Sequence, residues 1–106
     1  MTSVKFFYCN NMLNGFEVSD HATTNANDTL GALVCASISS AVYLTANTLT
    51  DIVFAKASIT EKDGYFKLLL KDNIKQSQTT LKGFKMHIEN LCSQYNSNIK
   101  IDSEEK

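Results

Sequence analysis

Ile74, Leu81, Phe84, Ile88, Leu91 and Tyr95 recur at intervals of seven, three, four, three and four residues, which sets all six on one face of an α-helix. Lys75, Gln76, Thr79, Lys82 and Glu89 fall mostly off that stripe. A helix that is apolar on one side only must lay that side against another layer. In 106 residues without proline there is material for one core, so residues 1–106 read as a single domain. A domain of this length buries roughly 60–70% of the surface its unfolded chain exposes, a modest margin that makes dimerisation an expected source of further stability.

The partner layer is legible upstream. Val4-Lys5-Phe6-Phe7-Tyr8 is β-branched and aromatic and stops at the turn signal Asn10-Asn11; Phe16 and Val18 then alternate with Glu17 and Ser19 up to Asp20. These predict a hairpin. A polar stretch from Thr23 to Gly31 follows and reads as a loop, expected to be mobile and to order on binding substrate. From Leu30 the period changes, with Leu30, Leu33, Val34, Ile38, Ala41, Val42, Thr45 and Leu49 forming a second helical stripe. Asp28 or Thr29 suits its N-cap, and Gly31 suits a later start equally well. Asp51–Ile59 reads as a third strand, Glu61–Gly64 as a turn, Tyr65–Lys71 as a fourth strand and Ile99–Ile101 as a short last one, followed by a charged tail, Asp102 to Lys106, that should fray. The order is ββαββαβ. It implies an α+β fold with two helices packed on a mainly antiparallel sheet.

Charge excludes several classes of function. Ten lysines, with no arginine, nearly balance eleven acids, so there is neither a field nor a bidentate fork to hold nucleic acid. The aromatic strands could suggest base stacking, but without a basic groove they read as core. The longest apolar runs, Phe6-Phe7-Tyr8-Cys9 and Leu68-Leu69-Leu70, fall far short of the roughly 20 residues that span a membrane. No membrane partner is expected. The opening residues lack a basic segment before an apolar one, so no signal peptide is read and the cytoplasm is the expected compartment.

Cys9, Cys35 and Cys92 are too widely spaced for a disulfide framework or a zinc site, and neither metal nor cofactor is expected. In a reducing compartment any chemistry rests on one thiol and a neighbour. Cys9 sits in an apolar strand and Cys92 beside the core stripe of the last helix, while His87 lies among Lys85, Met86 and Glu89 as a solvated side chain. A redox role for Cys35 lacks a nearby resolving cysteine. What remains is His21 at the end of the second strand and Cys35 in or near the first turns of the first helix. An imidazole takes the thiol proton and stabilises the thiolate, and a helix N-terminus favours the same anion. A small core cysteine and an unrelated surface histidine are the plainer reading of the same two residues.

The run Gly15-Phe16-Glu17-Val18-Ser19-Asp20-His21-Ala22, the later Val34-Cys35-Ala36 with Ser39 one turn on, the Asp63-Gly64 turn and the amphipathic last helix together resemble Prp, the bacterial ribosomal-processing cysteine protease family. The resemblance implies a homodimeric cysteine endopeptidase that removes the N-terminal extension of the large-subunit ribosomal protein numbered twenty-seven, cutting after an aromatic residue. It assigns His21 as base, Cys35 as nucleophile and Ser39 as a supporting serine at i+4 from the thiol. The family usually has glycine where this chain has Asp20, and an acid where this chain has Ala32. Asp28 is the expected replacement for that acid, and Asp20 is expected to add charge beside the imidazole. Backbone N–H groups at the start of the first helix are the expected oxyanion donors. The rival reading is a catalytically impaired Prp-like binding module acting on ribosomal protein or ribosome assembly.

Overall fold

Asn10 and Asn11 both take positive φ, 53° and 64°, the handedness that a two-residue turn needs between strands of right-handed twist. In the computed structural model, which describes residues 1–20 and 28–105, they join β1 (Thr2–Cys9) to β2 (Met12–Asp20). The chain continues through α1 (Thr29–Asn47), β3 (Ala57–Lys62), β4 (Tyr65–Leu70), α2 (Gln78–Gln94) and β5 (Ile99–Glu105). This is the ββαββαβ order. Within the sheet the strands lie β3-β4-β2-β1-β5, all neighbours antiparallel except β1 and β5, which run parallel.

Both helices cover one face of the sheet. Val4, Phe6, Phe16, Phe66 and Leu68 from the strands meet Val34, Ile38 and Val42 of α1 and Leu81, Phe84 and Ile88 of α2 in one buried cluster. Phe84 stands between Phe6 and Phe16, with ring centroids at 5.8 and 4.6 Å. Gly15 has a packing reason: a Cβ there would lie 2.1 Å from the Leu68 carbonyl oxygen of β4.

Four expectations need correction. Asp51–Ile59 is not a strand from its start, because α1 runs on through a π-helical turn, Thr48–Ile52, that seats Leu49 fully in the core. The chain then reverses at Phe54, φ 60°, where the Asn73 side-chain amide donates to the carbonyls of Val53 and Phe54, and β3 begins only at Ala57. The turn between β3 and β4 shrinks to Asp63-Gly64, with Lys62 paired to Tyr65 and Gly64 at φ 73°. The charged tail does not fray through Glu105: Asp102, Ser103, Glu104 and Glu105 stay in register with Lys5, Phe6, Phe7 and Tyr8 of β1. Leu30 and Leu33, read as part of the buried stripe, are 48% and 66% exposed, and the buried face of α1 is carried by Val34, Ile38, Val42, Thr45 and Ala46.

The continuous helical run Thr29–Ile52 has the length and mean hydropathy, 1.6, of a membrane span, which the short uninterrupted apolar runs did not reveal. One face of the run packs against the sheet through Val34, Ile38 and Val42, while Leu30, Leu33, Leu44 and Ile52 on its other side are exposed. The predicted loop lies mostly outside the described residues, and its end, Thr29 to Gly31, is already helix.

Candidate active site

Side chains two apart on a strand share a face, so Asp20 follows Phe16 and Val18 toward the helical layer. Phe16 is fully buried there. At the same end of the sheet, Asp28 caps α1 by accepting from the Gly31 N–H through Oδ1 at 2.8 Å. The early start is therefore the one adopted. It places Cys35 in the second turn, next to the buried Val34 and over the end of β2.

There the thiol meets a carboxylate. Cys35 Sγ donates to Asp20 Oδ2 at 3.2 Å, while the buried Thr2 donates through Oγ1 to Asp20 Oδ1, also at 3.2 Å. Thr2 and Asp20 are register partners across the β1–β2 pair, and the Asp20 N–H donates to the Gly64 carbonyl at 2.9 Å. Burial pushes the Cys35 thiol above its ordinary value of 9.0; the hydrogen bond to Asp20 and that carboxylate's charge push the same way. A hydrogen bond from the Ser39 hydroxyl and the positive amino terminus pull it down, with the smaller effect.

The thiol faces a cavity of about 290 Å³ between α1 and the sheet. Val18, Ile38, Val42 and Phe66 supply its apolar lining. Tyr43, eight residues along α1 from Cys35 and so about 12 Å up the helix axis, also lines it. The Tyr43 ring stands edge-on to Phe66 at 6.0 Å, and its hydroxyl donates to the Glu61 carboxylate of β3, which raises the Tyr43 pKa.

Cys35, Asp20 and Ser39 are thus brought together. Asp28 does not line the cavity; as the cap of α1 it serves Gly31 and not the thiol. His21 lies outside the described residues. The first-turn amides expected to hold an oxyanion are partly taken, Gly31 N–H by the Asp28 side chain and Ala32 N–H by the Asp28 carbonyl at 3.2 Å. Sequence reasoning did not anticipate Thr2, Tyr43 or Glu61. The period-2 pattern does signal that Asp20 shares a face with Val18, but its contact with the sulfur needed the helix start to be known. Among the described residues no group of three or more His, Cys, Asp or Glu side chains could hold a metal ion.

A family model described as cysteine protease Prp matches residues 1–100. The chain belongs to the Prp family of cysteine proteases. Among solved structures, Prp from S. aureus in complex with a substrate peptide has a TM-score of 0.86 at 18% identity, covering 98% of this chain and 100% of that one. The same protease with a covalently linked product peptide gives 0.84 at 19% identity, with the same coverage. SMU.848 from Streptococcus mutans gives 0.84 at 19%, covering 100% of this chain and 96% of that one. Likeness at these identities establishes the Prp fold. No curated protein matches.

Proposed function

We propose that this Prp-family chain is a cytoplasmic, homodimeric endopeptidase that removes an N-terminal extension from the large-subunit ribosomal protein numbered twenty-seven, using Cys35 as nucleophile and His21 as base. The observation that carries the reading is the placement of Cys35 on the wall of a cavity open to a peptide side chain, in a chain whose residues 1–100 match the family. The solved Prp from S. aureus binds a substrate peptide, which supports the same class of ligand here. Residues 1–106 act as one domain.

In the proposed reaction His21 takes the proton of Cys35 and the sulfur attacks the scissile carbonyl carbon. The tetrahedral intermediate collapses as the imidazolium returns that proton to the departing amine, leaving a thioester on Cys35. Water, deprotonated by His21, then releases the acid and restores the thiol. Ser39 supports the thiolate through its hydrogen bond to the sulfur. Asp28 contributes by fixing where α1 begins. The apolar lining suits a large apolar or aromatic side chain before the cleaved bond.

A peptide carrying the ribosomal-protein extension should be cut by the wild-type protein, and Cys35→Ala should lower the rate by about 10³-fold or more. No cleavage, with Cys35→Ala indistinguishable from wild type, overturns the reading. Sedimentation at micromolar concentration should give twice the chain mass.

One observation favours a second reading, a catalytically impaired binding module: Asp20 and burial together hold the Cys35 proton in place. Iodoacetamide at neutral pH separates the two, since an activated Cys35 labels well ahead of Cys9 and Cys92 and an inert one does not.

A further inference from the structure

We propose that Asp20 is a positioning residue for Cys35: held by Thr2 and by Gly64, its carboxylate accepts the thiol hydrogen and fixes where the sulfur stands at the cavity wall. The role rests on Cys35 being the nucleophile proposed above, and it goes beyond that reading by naming what sets the sulfur's position.

Three hydrogen bonds carry the argument. Thr2 Oγ1 fixes Asp20 Oδ1, Cys35 Sγ donates to the other oxygen, and the main chain of Asp20 is tied to the β3–β4 turn through Gly64. Each anchor sits on a different element, so Asp20 ties β1, the β3–β4 turn and α1 together at one point. Thr2 is only 3% exposed, and a buried hydroxyl keeps its hydrogen bond because water is not there to replace it. Cys35 itself has few rotamers on a helix, and a hydrogen bond to a fixed acceptor selects among them. A nucleophile displaced by about 1 Å loses on the order of 10²-fold in rate, so the gain from fixing it is large.

A fixed carboxylate has a second effect. It opposes the thiolate, adding to burial, the larger cause that raises the Cys35 pKa, while Ser39 and the positive amino terminus favour the thiolate more weakly. The other titratable groups among the described residues around the cavity are Tyr43 of α1, Glu61 and Lys62 of β3, Asp63 of the turn, and Tyr65 of β4. Two of these five are carboxylic acids and one is a cation, so they do not cancel the Asp20 charge. Position and proton affinity therefore pull the reaction in opposite directions, and the two are separable by experiment.

Asp20→Asn keeps the shape and an acceptor oxygen but removes the charge; Asp20→Ala removes both. With iodoacetamide, whose attack needs no oriented substrate, both variants should label Cys35 several-fold faster than wild type near neutral pH, the midpoint of labelling moving to lower pH. With an extended ribosomal-protein peptide, Asp20→Ala should lose about 10²-fold in kcat with KM little changed, and Asp20→Asn should regain most of that loss. Opposite movement of labelling and cleavage in Asp20→Ala, with Cys9 and Cys92 still labelling at their wild-type rates, is the supporting result, because a general loss of structure uncovers and speeds all three thiols. An unchanged labelling profile in both variants, or Asp20→Ala cleaving as fast as wild type, overturns the proposal. If the wild-type protein cuts no peptide, the endopeptidase reading fails, and the labelling profiles alone still decide whether Asp20 acts on the sulfur.

Discussion

At the scale of single residues, small groups at close approach set the conditions for the site. Gly15 lets β4 come near β2, and with a Cβ 2.1 Å from the Leu68 carbonyl oxygen the strands must part. Gly15→Ala is expected to cost about 1–3 kcal/mol, read as a lower urea midpoint with an unchanged slope. Asp28 accepts from an N–H that the first turn of α1 leaves unpaired. Asp28→Ala should cost about 1 kcal/mol by the same measurement and, because the cap positions the turn before Cys35, should alter labelling of that thiol more than labelling of Cys92. Asp20 illustrates what a sequence shows and withholds at this scale. Its place on the helix-facing side was readable from Phe16 and Val18, yet whether it met an imidazole or a thiol depended on a cap that Asp28, Thr29 and Gly31 could each have shaped.

At the scale of elements, α2 and the hairpins were legible because their signals are local: a 3.6-residue stripe, a period-2 alternation, two asparagines at a turn. The third strand was misread because Ile52, Val53, Phe54 and Ala55 look like one apolar run, whereas the structure exposes Ile52 and Phe54 at 71% and 75% and uses the segment to finish a helix and reverse the chain. That outcome depends on Leu49 finding the core and on Asn73 reaching back to two carbonyls, contacts that no window of neighbouring residues reports. The tail was misread for a similar reason. Ser103, Glu104 and Glu105 have poor strand chemistry, and it is β1, far back in the chain, that pairs with them in the sheet. Amide hydrogen exchange should accordingly show protection in the Asp102–Glu105 segment well above that of a free peptide, and truncation after Ile101 should lower protection in the facing Lys5–Tyr8 stretch of β1. In α1, Ile38→Ala removes a fully buried side chain between helix and sheet and should cost about 2–5 kcal/mol.

For the molecule as a whole, a line of aromatic rings joins the two helices through the sheet. Phe84 of α2 touches Phe16, Phe16 stacks on Phe66 at 5.9 Å, and Phe66 meets Tyr43 of α1 at the cavity. The core and the cavity wall are one packed body, so damage far from the thiol reaches it. Phe84→Ala should cost about 3–5 kcal/mol, a large part of the 5–15 kcal/mol that holds an ordinary domain together, and is expected to leave little folded protein at 37 °C by circular dichroism.

The parallel pairing of β1 with β5 has a consequence in time. Thr2, which anchors Asp20, belongs to β1, and its partner on the outer side of the sheet is Ile99 of β5, far along the chain. A contact between such distant parts of a chain closes late, since a long loop must be ordered before the pairing returns any stability. Until β5 arrives, β1 presents an open edge on one side, and the hydroxyl that fixes Asp20 has no settled frame. The frame that holds Thr2, Asp20 and Cys35 together is therefore complete only once β5 has docked on β1.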